Sequence, residues 1–203
     1  MASAPLKWVG GKTQIMDKVL AVLPTSIDEY HEPFIGGGSV LITLLQSGRF
    51  SENATIFASD ANVTLIAVYN HIKSNIDELC TVLTDITERY KELKTIENCE
   101  NMYYMYRRAY NEMANKASVA AAAVFIFMNK TGFRGLCRYG PNGFNVPFGN
   151  YINPGILDED NLRALHSLFQ RVVFTCCPFE EALERVKGVV YLDPPYDTRE
   201  KYG

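Results

Sequence analysis

What this chain lacks narrows the choices before any motif is read. No apolar run approaches the roughly eighteen residues that a bilayer-crossing helix needs, so no membrane partner is expected. The N-terminal MASAPLKWVGGK has no charged head, apolar middle or small-residue cleavage site, and an intracellular, unsecreted protein is expected. Cysteine is scarce and odd in number: Cys80, Cys99, Cys137, Cys176 and Cys177 argue for reduced thiols over a disulfide framework. His31, His71 and His166 complete no metal-ligand spacing, and Cys176 and Cys177, adjacent on a strand, point to opposite faces, so no metal is expected. The dinucleotide fingerprint G-x-G-x-x-G is absent, because Ser39, Val40 and Leu41 follow the glycines at 36 to 38. "WVGGKT" is no phosphate loop either, since Leu6 stands where that pattern needs a glycine.

What is present suits one well-buried core, or one core with an inserted module: 203 residues, 47% of them hydrophobic. The net charge of −3 argues against a protein that coats nucleic acid indiscriminately. The charge is unevenly spread. Between residues 101 and 151, Arg107, Arg108, Lys116, Lys130, Arg134 and Arg138 face Glu112 alone, six against one, which leaves this segment at +5. That is either a footprint for a polyanion or a solvated basic face.

Along the chain, apolar residues recur at helical spacing from Thr13 to Leu23, where Pro24 closes the run. "YHEPFIGGGSVLITLLQSG" reads as a strand, a glycine turn and a helix over Ser39 to Gln46; "ATIFASDAN" reads as a strand ending at Asp60 with a helix starting near Asn62. Residues 65–128 turn helical, and "NKTGFRGLCRYGPNGFNVPFGNY" is a loop or hairpin interleaving aromatic and basic side chains. "RVVFTCCPF" and "GVVYLDPPY" return to strand character.

Two features carry chemistry. The three glycines let the backbone approach a ligand while the helix behind them aims free N–H groups at it, and Asp60 at the tip of the next strand is placed to accept from both hydroxyls of a ribose. A nucleoside ligand other than NAD fits. The second feature is Asp193-Pro194-Pro195-Tyr196. Prolines have no N–H, so their carbonyls and the neighbouring carboxylate serve as rigid acceptors for a planar NH2 group, and the tyrosine offers a face on which a base stacks for about 1–3 kcal/mol. Two acceptors on the exocyclic amine of adenine favour the pyramidal nitrogen that attacks an electrophile. Within a duplex that amine is reached only by turning the nucleotide out of the stack. By itself, the element could also just end a strand with a packed tyrosine.

With "KWVGGK", "EPFIGGGSV", "SDAN", "GLCRYGPNGFNVPFGNY" and "DPPY" in order from Leu6 to Tyr196, the chain resembles the Dam-type DNA adenine N6-methyltransferases. The resemblance implies an α/β fold: a Rossmann-like S-adenosylmethionine-dependent methyltransferase sheet with an inserted helical and hairpin DNA-recognition module. It implies a catalytic domain over residues 1–64 and 166–203 and a target-recognition insertion over 65–165. The implied activity is methyl transfer from S-adenosylmethionine to a flipped-out adenine of double-stranded DNA, releasing S-adenosylhomocysteine, with GATC as the site. Trp8, Gly10 and Lys12 resemble the family's N-terminal cofactor block. Pro33, Phe34, Gly36, Gly38 and Ser39 look like its glycine loop, Asp60 its ribose acid and Phe179 the aromatic against the cofactor's adenine. Asp193, Pro194, Pro195 and Tyr196 look like the catalytic element, with Asp193 also close to the cofactor's methionine part. Lys7, Phe133, Arg134, Leu136, Arg138, Pro147 and Tyr151 fall on DNA-contacting positions, Arg138 on a guanine reader and Phe133 on a ring that enters the stack.

The chain also departs from the family pattern. The family usually has asparagine where Arg134 stands, and its sheet continues beyond DPPY, whereas seven residues follow Tyr196 here. On this reading the C-terminal strands are missing. Three explanations are open: a longer chain whose C-terminal segment completes the sheet, a second polypeptide that does so, or a catalytically incomplete homologue that binds DNA or a nucleoside. Enzymes acting on protein glutamine or cytosine N4 use similar proline-tyrosine elements, but neither class accounts for the GLCRYGPNGFNVPFGNY block.

Overall fold

Proline, glycine and short polar residues punctuate this chain, and its elements begin and end where they stand. The computed structural model describes residues 1–195. The expected first helix opens instead as a 3-10 turn, Thr13–Ile15, and becomes α-helical only over Met16–Val22 (α1). It stops because Leu23, which precedes Pro24, is pushed to extended geometry. Strand β1 (Ile27–Glu32) leads into the glycine turn and helix α2 (Ser39–Gln46), and β2 (Phe50–Asp60) runs parallel to β1, with Tyr30 beside Ile56 and Glu32 beside Ala58. Helix α3 (Val63–Ser74) follows at once because the Asn62 side chain accepts from the N–H groups of Thr64 and Leu65.

Three more helices come next: α4 (Ile76–Lys91), α5 (Ile96–Glu112) and α6 (Val119–Thr131). Thr95 caps α5 and Ser118 caps α6 in the same way. Helix α6, "VAAAAVFIFMNKT", is apolar all round apart from its end, the pattern of a helix enclosed on every side. It packs against α3, α4 and α5, and Phe127 sits within a nest of Tyr90, Tyr103 and Tyr106. A 3-10 turn (Phe133–Gly135) and a short hairpin, β3 (Tyr139–Gly140) with β4 (Gly143–Phe144), lead to helix α7 (Glu159–Phe169). Strand β5 (Val172–Cys176) pairs with β2, a five-residue helix α8 (Phe179–Leu183) follows, and β6 (Val189–Val190) pairs with β1.

The parallel order is β5-β2-β1-β6, with helices packed on it, so the expected Rossmann-like α/β arrangement is present. The chain winds outward from β1 through β2 to β5, then returns to the other side of β1 with β6. That reversal opens a crevice at the carboxyl ends of β1 and β6, the place where such sheets bind ligands. One expectation is corrected: the strand read into "GVVYLDPPY" pairs only at Val189 and Val190, with one further bond from Tyr191 N–H to the His31 carbonyl at 2.9 Å. Two prolines without N–H cannot extend the ladder. Asp193 therefore stands beyond the strand, in irregular backbone at the crevice.

Candidate active site

The crevice is a cleft of about 660 Å³, within the range of small-molecule sites. Its base is the glycine turn. Gly36 sits at φ +47°, and a Cβ there would come within 2.5 Å of the Trp8 indole nitrogen, so the half-buried indole lies directly on the turn. The turn is tied down on three sides. Gly36 N–H donates to Asp60 Oδ2 at 3.2 Å, the Tyr69 hydroxyl donates to the Gly36 carbonyl at 2.8 Å, and Ile35 N–H donates to the Ser59 carbonyl at 3.0 Å. Tyr69 is held in turn by stacking on Phe174, 5.1 Å between centroids.

Asp60 also accepts from Asn62 N–H at 3.0 Å, so one carboxylate links the turn to the start of α3. Burial pushes this carboxyl above its ordinary range, and N–H groups of Asn62, Gly36 and Ala61 hold it back. A carboxylate that lines the cleft while short of full hydration suits a ligand bringing hydroxyl donors. Across the opening, Phe34 and Phe179 face one another 5.2 Å apart at 33°, with Pro178 and Ala61 beside them. Phe179 is 40% exposed, and together these form an apolar wall against which a flat ring can lie.

At the far end, Lys12 forms an ion pair with Asp193, while its ammonium also donates to the Gly10 carbonyl at 2.8 Å. The Lys12 backbone N–H reaches Ser39 Oγ at 3.3 Å, which anchors the N-terminal block to the first turn of α2. Below them Glu32 is 3% exposed and accepts from the Tyr30 hydroxyl at 2.7 Å. Burial pushes Glu32 up to about 8; the Tyr30 bond opposes this, the nearby Asp193 adds to it, and Leu41 N–H opposes it further. Of the acids that line the cleft, Asp193 is ion-paired at its lip, and Glu32 in its floor is held toward its neutral form by burial.

All the residues expected to touch a cofactor line this one cleft: Trp8, Gly10, Lys12, Pro33, Phe34, Gly36, Gly38, Ser39, Asp60, Phe179 and Asp193. Pro194 and Pro195 line it as well; Tyr196 lies outside the described residues. Glu32 escaped the sequence reading, although a carboxylate between a strand and a proline-glycine turn was a signal that could have drawn attention to it.

The residues expected at DNA fall on the 3-10 turn, the hairpin and the segment after it. Phe133 is 42% exposed, its N–H donates to the Pro147 carbonyl at 2.9 Å, and the Arg134 guanidinium lies 5.1 Å over its ring. Arg134 itself has φ +55°, an uncommon left-handed conformation for a residue with a side chain. Lys7 places its ammonium 4.4 Å over the Tyr151 ring and donates to the Lys130 carbonyl at 3.0 Å. Leu136 is half-buried at the end of the turn, and Arg138, exposed, is fastened to Asn145.

Asn129, also missed, organises this corner. It is 2% exposed at the end of α6; its Oδ1 accepts from Lys7 N–H at 2.8 Å, and its Nδ2 donates to the carbonyls of Lys7 at 2.8 Å and Gly135 at 3.1 Å. The basic stripe needs correcting too. Lys116 turns inward to cap carbonyls at the end of α5, including Asn111 at 3.2 Å and Met113 at 2.6 Å, and Arg107 donates to the Val146 carbonyl at 2.9 Å. Lys130 is half-buried, which lowers its pKa. Arg108, Arg134 and Arg138 are the members left exposed. Among the described residues no group of three or more His, Cys, Asp or Glu could hold a metal ion, and no helix is long and apolar enough to cross a membrane.

Comparison with known proteins gives the chain its family. The family model for D12 class N6 adenine-specific DNA methyltransferases matches residues 8–202. The chain is 40% identical over 200 residues to the type II methyltransferase M.MjaIII of Methanocaldococcus jannaschii, covering 94% of this chain and 68% of that protein. It is 34% identical over 198 residues to the retron Ec67 DNA adenine methylase of Escherichia coli, covering 96% of this chain and 64% of the other. It is 33% identical over 195 residues to the DNA adenine methylase of Escherichia coli K12, covering 94% and 64%. The chain spans about two thirds of the length of these curated relatives.

Proposed function

Since the chain belongs to the D12 class of N6 adenine-specific DNA methyltransferases, we propose that its cleft takes S-adenosylmethionine and an adenine turned out of duplex DNA, and that the adenine N6 is methylated there. The observation that carries this reading is that Asp60, the glycine turn and Asp193-Pro194 line a single cleft.

The donor set fits the cofactor. Asp60 accepts from ribose hydroxyls, Phe34 and Phe179 receive the adenine ring, and Trp8 keeps the glycine turn in shape beneath it. Bound there, S-adenosylmethionine supplies an electrophilic methyl on a sulfonium. The protein's part is orientation and charge. Lys12 holds the Asp193 side chain at the lip of the cleft; when the target amine arrives, Asp193 and the Pro194 carbonyl accept hydrogen bonds from its two N–H groups and stabilise the positive charge that grows on nitrogen, which is relieved when the methylated nitrogen gives up one proton to solvent. A neutral Glu32 keeps a second full negative charge away from Asp193. Tyr196 stacks on the extruded base.

On the DNA side, residues 65–165 form the target-recognition module of this reading, and residues 1–64 and 166–203 the catalytic one. Phe133 fills the gap left by the flipped nucleotide, and Arg138 reads a guanine through O6 and N7. GATC is the proposed site, and the protein acts inside the cell, where the DNA is.

Asp193→Ala tests the proposal in an assay of labelled methyl transfer to duplexes with and without GATC. Transfer should vanish while duplex binding and the melting transition persist. Normal turnover in that variant removes the mechanism. A wild-type protein that binds duplexes without transferring methyl groups supports the alternative of a non-catalytic DNA-binding homologue.

A further inference from the structure

The end of the β3–β4 hairpin holds a contact that neither the fold nor the cleft requires. Arg138 and Asn145 flank the paired residues Tyr139–Phe144 and Gly140–Gly143, and both are exposed. Three hydrogen bonds join them: Arg138 Nε to Asn145 Oδ1 at 2.7 Å, Arg138 Nη2 to the Asn145 carbonyl at 3.1 Å, and Asn145 N–H to the Arg138 carbonyl at 3.0 Å. A β-ladder needs only the last. The first two fix the plane of a guanidinium that would otherwise sweep many rotamers at the surface.

The edge that is fixed matters. Of the five N–H groups of a guanidinium, Nε–H and one on Nη2 are spent on Asn145. The outer edge, shared by Nη1 and Nη2, stays available, and it is a planar pair of donors spaced to meet O6 and N7 of guanine. Asn145 is itself held from the other side. A Cβ at Gly140 would lie 2.5 Å from Asn145 Nδ2, so the amide rests directly on the hairpin backbone where a side chain would displace it.

We propose that Asn145 is a positioning residue for base readout: it clamps the inner edge of Arg138 so that the outer edge is presented to a guanine before DNA arrives, and Gly140 is glycine to make room for the clamp. This rests on the reading of the chain as a DNA methyltransferase whose Arg138 contacts a base. Pre-organisation of this kind sharpens discrimination at one base pair and leaves the others alone.

The test measures binding of the 203-residue chain by fluorescence anisotropy to a GATC duplex and to duplexes changed at each base pair in turn. Arg138→Ala should lower discrimination at one guanine by about 5- to 150-fold. Asn145→Ala should lower it at that same guanine by about fivefold and add little to Arg138→Ala in the double variant. Asn145→Asp keeps the acceptor; it should weaken every duplex alike through its charge yet retain the discrimination ratio. Gly140→Ala should mimic Asn145→Ala, which keeps the test open if one variant folds poorly. The clamp is overturned if Asn145→Ala weakens all duplexes equally, if it leaves the ratio at the Arg138 base pair intact, or if Arg138→Ala changes no ratio at all. A wild-type protein with no affinity for any duplex overturns the DNA reading itself, and the clamp's role with it; selective binding with an unaffected Asn145→Ala overturns the clamp alone.

Discussion

Replacing Glu32 by glutamine isolates one buried charge in the floor of the cleft. The side chain is 3% exposed, and its pKa is pushed from an ordinary value of 4.5 up to about 8, first by burial and also by Asp193. The folded-state value lies above the unfolded one, so this group's contribution to stability is fully present below about pH 4.5 and is lost as the pH rises through about 8. Glutamine does not titrate. Whatever constant offset the amide introduces by exchanging bonds with Tyr30 and Leu41, the difference between variant and wild type must therefore grow with pH. At about 1.4 kcal/mol for each pH unit between the two values, with the slope flattening near each of them, the gap should widen in favour of Glu32→Gln by roughly 3.5 kcal/mol between pH 5 and pH 8. In a domain of this size that corresponds to about 7–14 °C in Tm. Paired thermal melts across that range at constant ionic strength read it directly. A gap that stays flat to within about 1 kcal/mol would mean that Glu32 is ionised throughout, and the assignment of a neutral acid beneath Asp193 would be wrong.

Two further substitutions probe how the site is held. Asn129→Ala removes three hydrogen bonds from a buried amide and strands the Lys7 and Gly135 groups they served; at about 1 kcal/mol each it should cost roughly 2–4 kcal/mol in denaturant unfolding, and a cost below about 1 kcal/mol would show that water or a neighbour replaces the amide. Tyr69→Phe removes the hydroxyl that donates to the Gly36 carbonyl; it should cost about 1 kcal/mol of stability and weaken cofactor binding measured by calorimetry, and unchanged affinity would mean that Trp8 and Asp60 alone keep the turn in shape.

Those parts of the molecule set by neighbours in sequence were legible in the sequence. Pro24 ended α1, Gly38 and Gly48 bracketed α2, and Asn62 started α3, because a fixed φ, a positive φ and a capping side chain act within a few residues. The apolar run of β5 and the C-terminal part of β2 were plain for the same reason, whereas β1, Ile27–Glu32, is mostly polar and begins three residues before the strand read at Tyr30, and β2 begins at Phe50, four residues before the one read at Ala54. The helical reading of Thr13 to Leu23 missed its 3-10 opening, and the strand read through Leu192 stops at Val190, since there the chain's own prolines and the partner strand decide, not the run of apolar residues. Partnerships between distant positions left no periodic trace: Lys12 with Asp193, Asn129 with Lys7, and the inward turn of Lys116 that subtracts a charge from the basic stripe. A formal charge count treats every lysine as solvated, and only packing reveals which ones cap carbonyls.

One of those distant partnerships determines how the two surfaces stand to each other. Lys7 and Trp8 are consecutive, so their Cα atoms are about 3.8 Å apart whatever the tertiary structure does. Trp8 lies on Gly36 and Gly37, beneath the cleft, while Lys7 is buckled by Asn129 to Gly135 and reaches over Tyr151, on the surface assigned to DNA. A covalent dipeptide is a stiffer spacer than any packed interface. A reaction that must bring an extruded base to within bonding distance of a methyl donor tolerates errors of well under an ångström or two. The arrangement thus gives the spacing between the glycine turn and the recognition turn to the backbone itself, and leaves to Asn129 the task of keeping Lys7 on the recognition side. It follows that losing the Asn129 amide should disturb transfer more than it disturbs the affinity for either cofactor or duplex taken singly, because each surface survives and only their registration is lost.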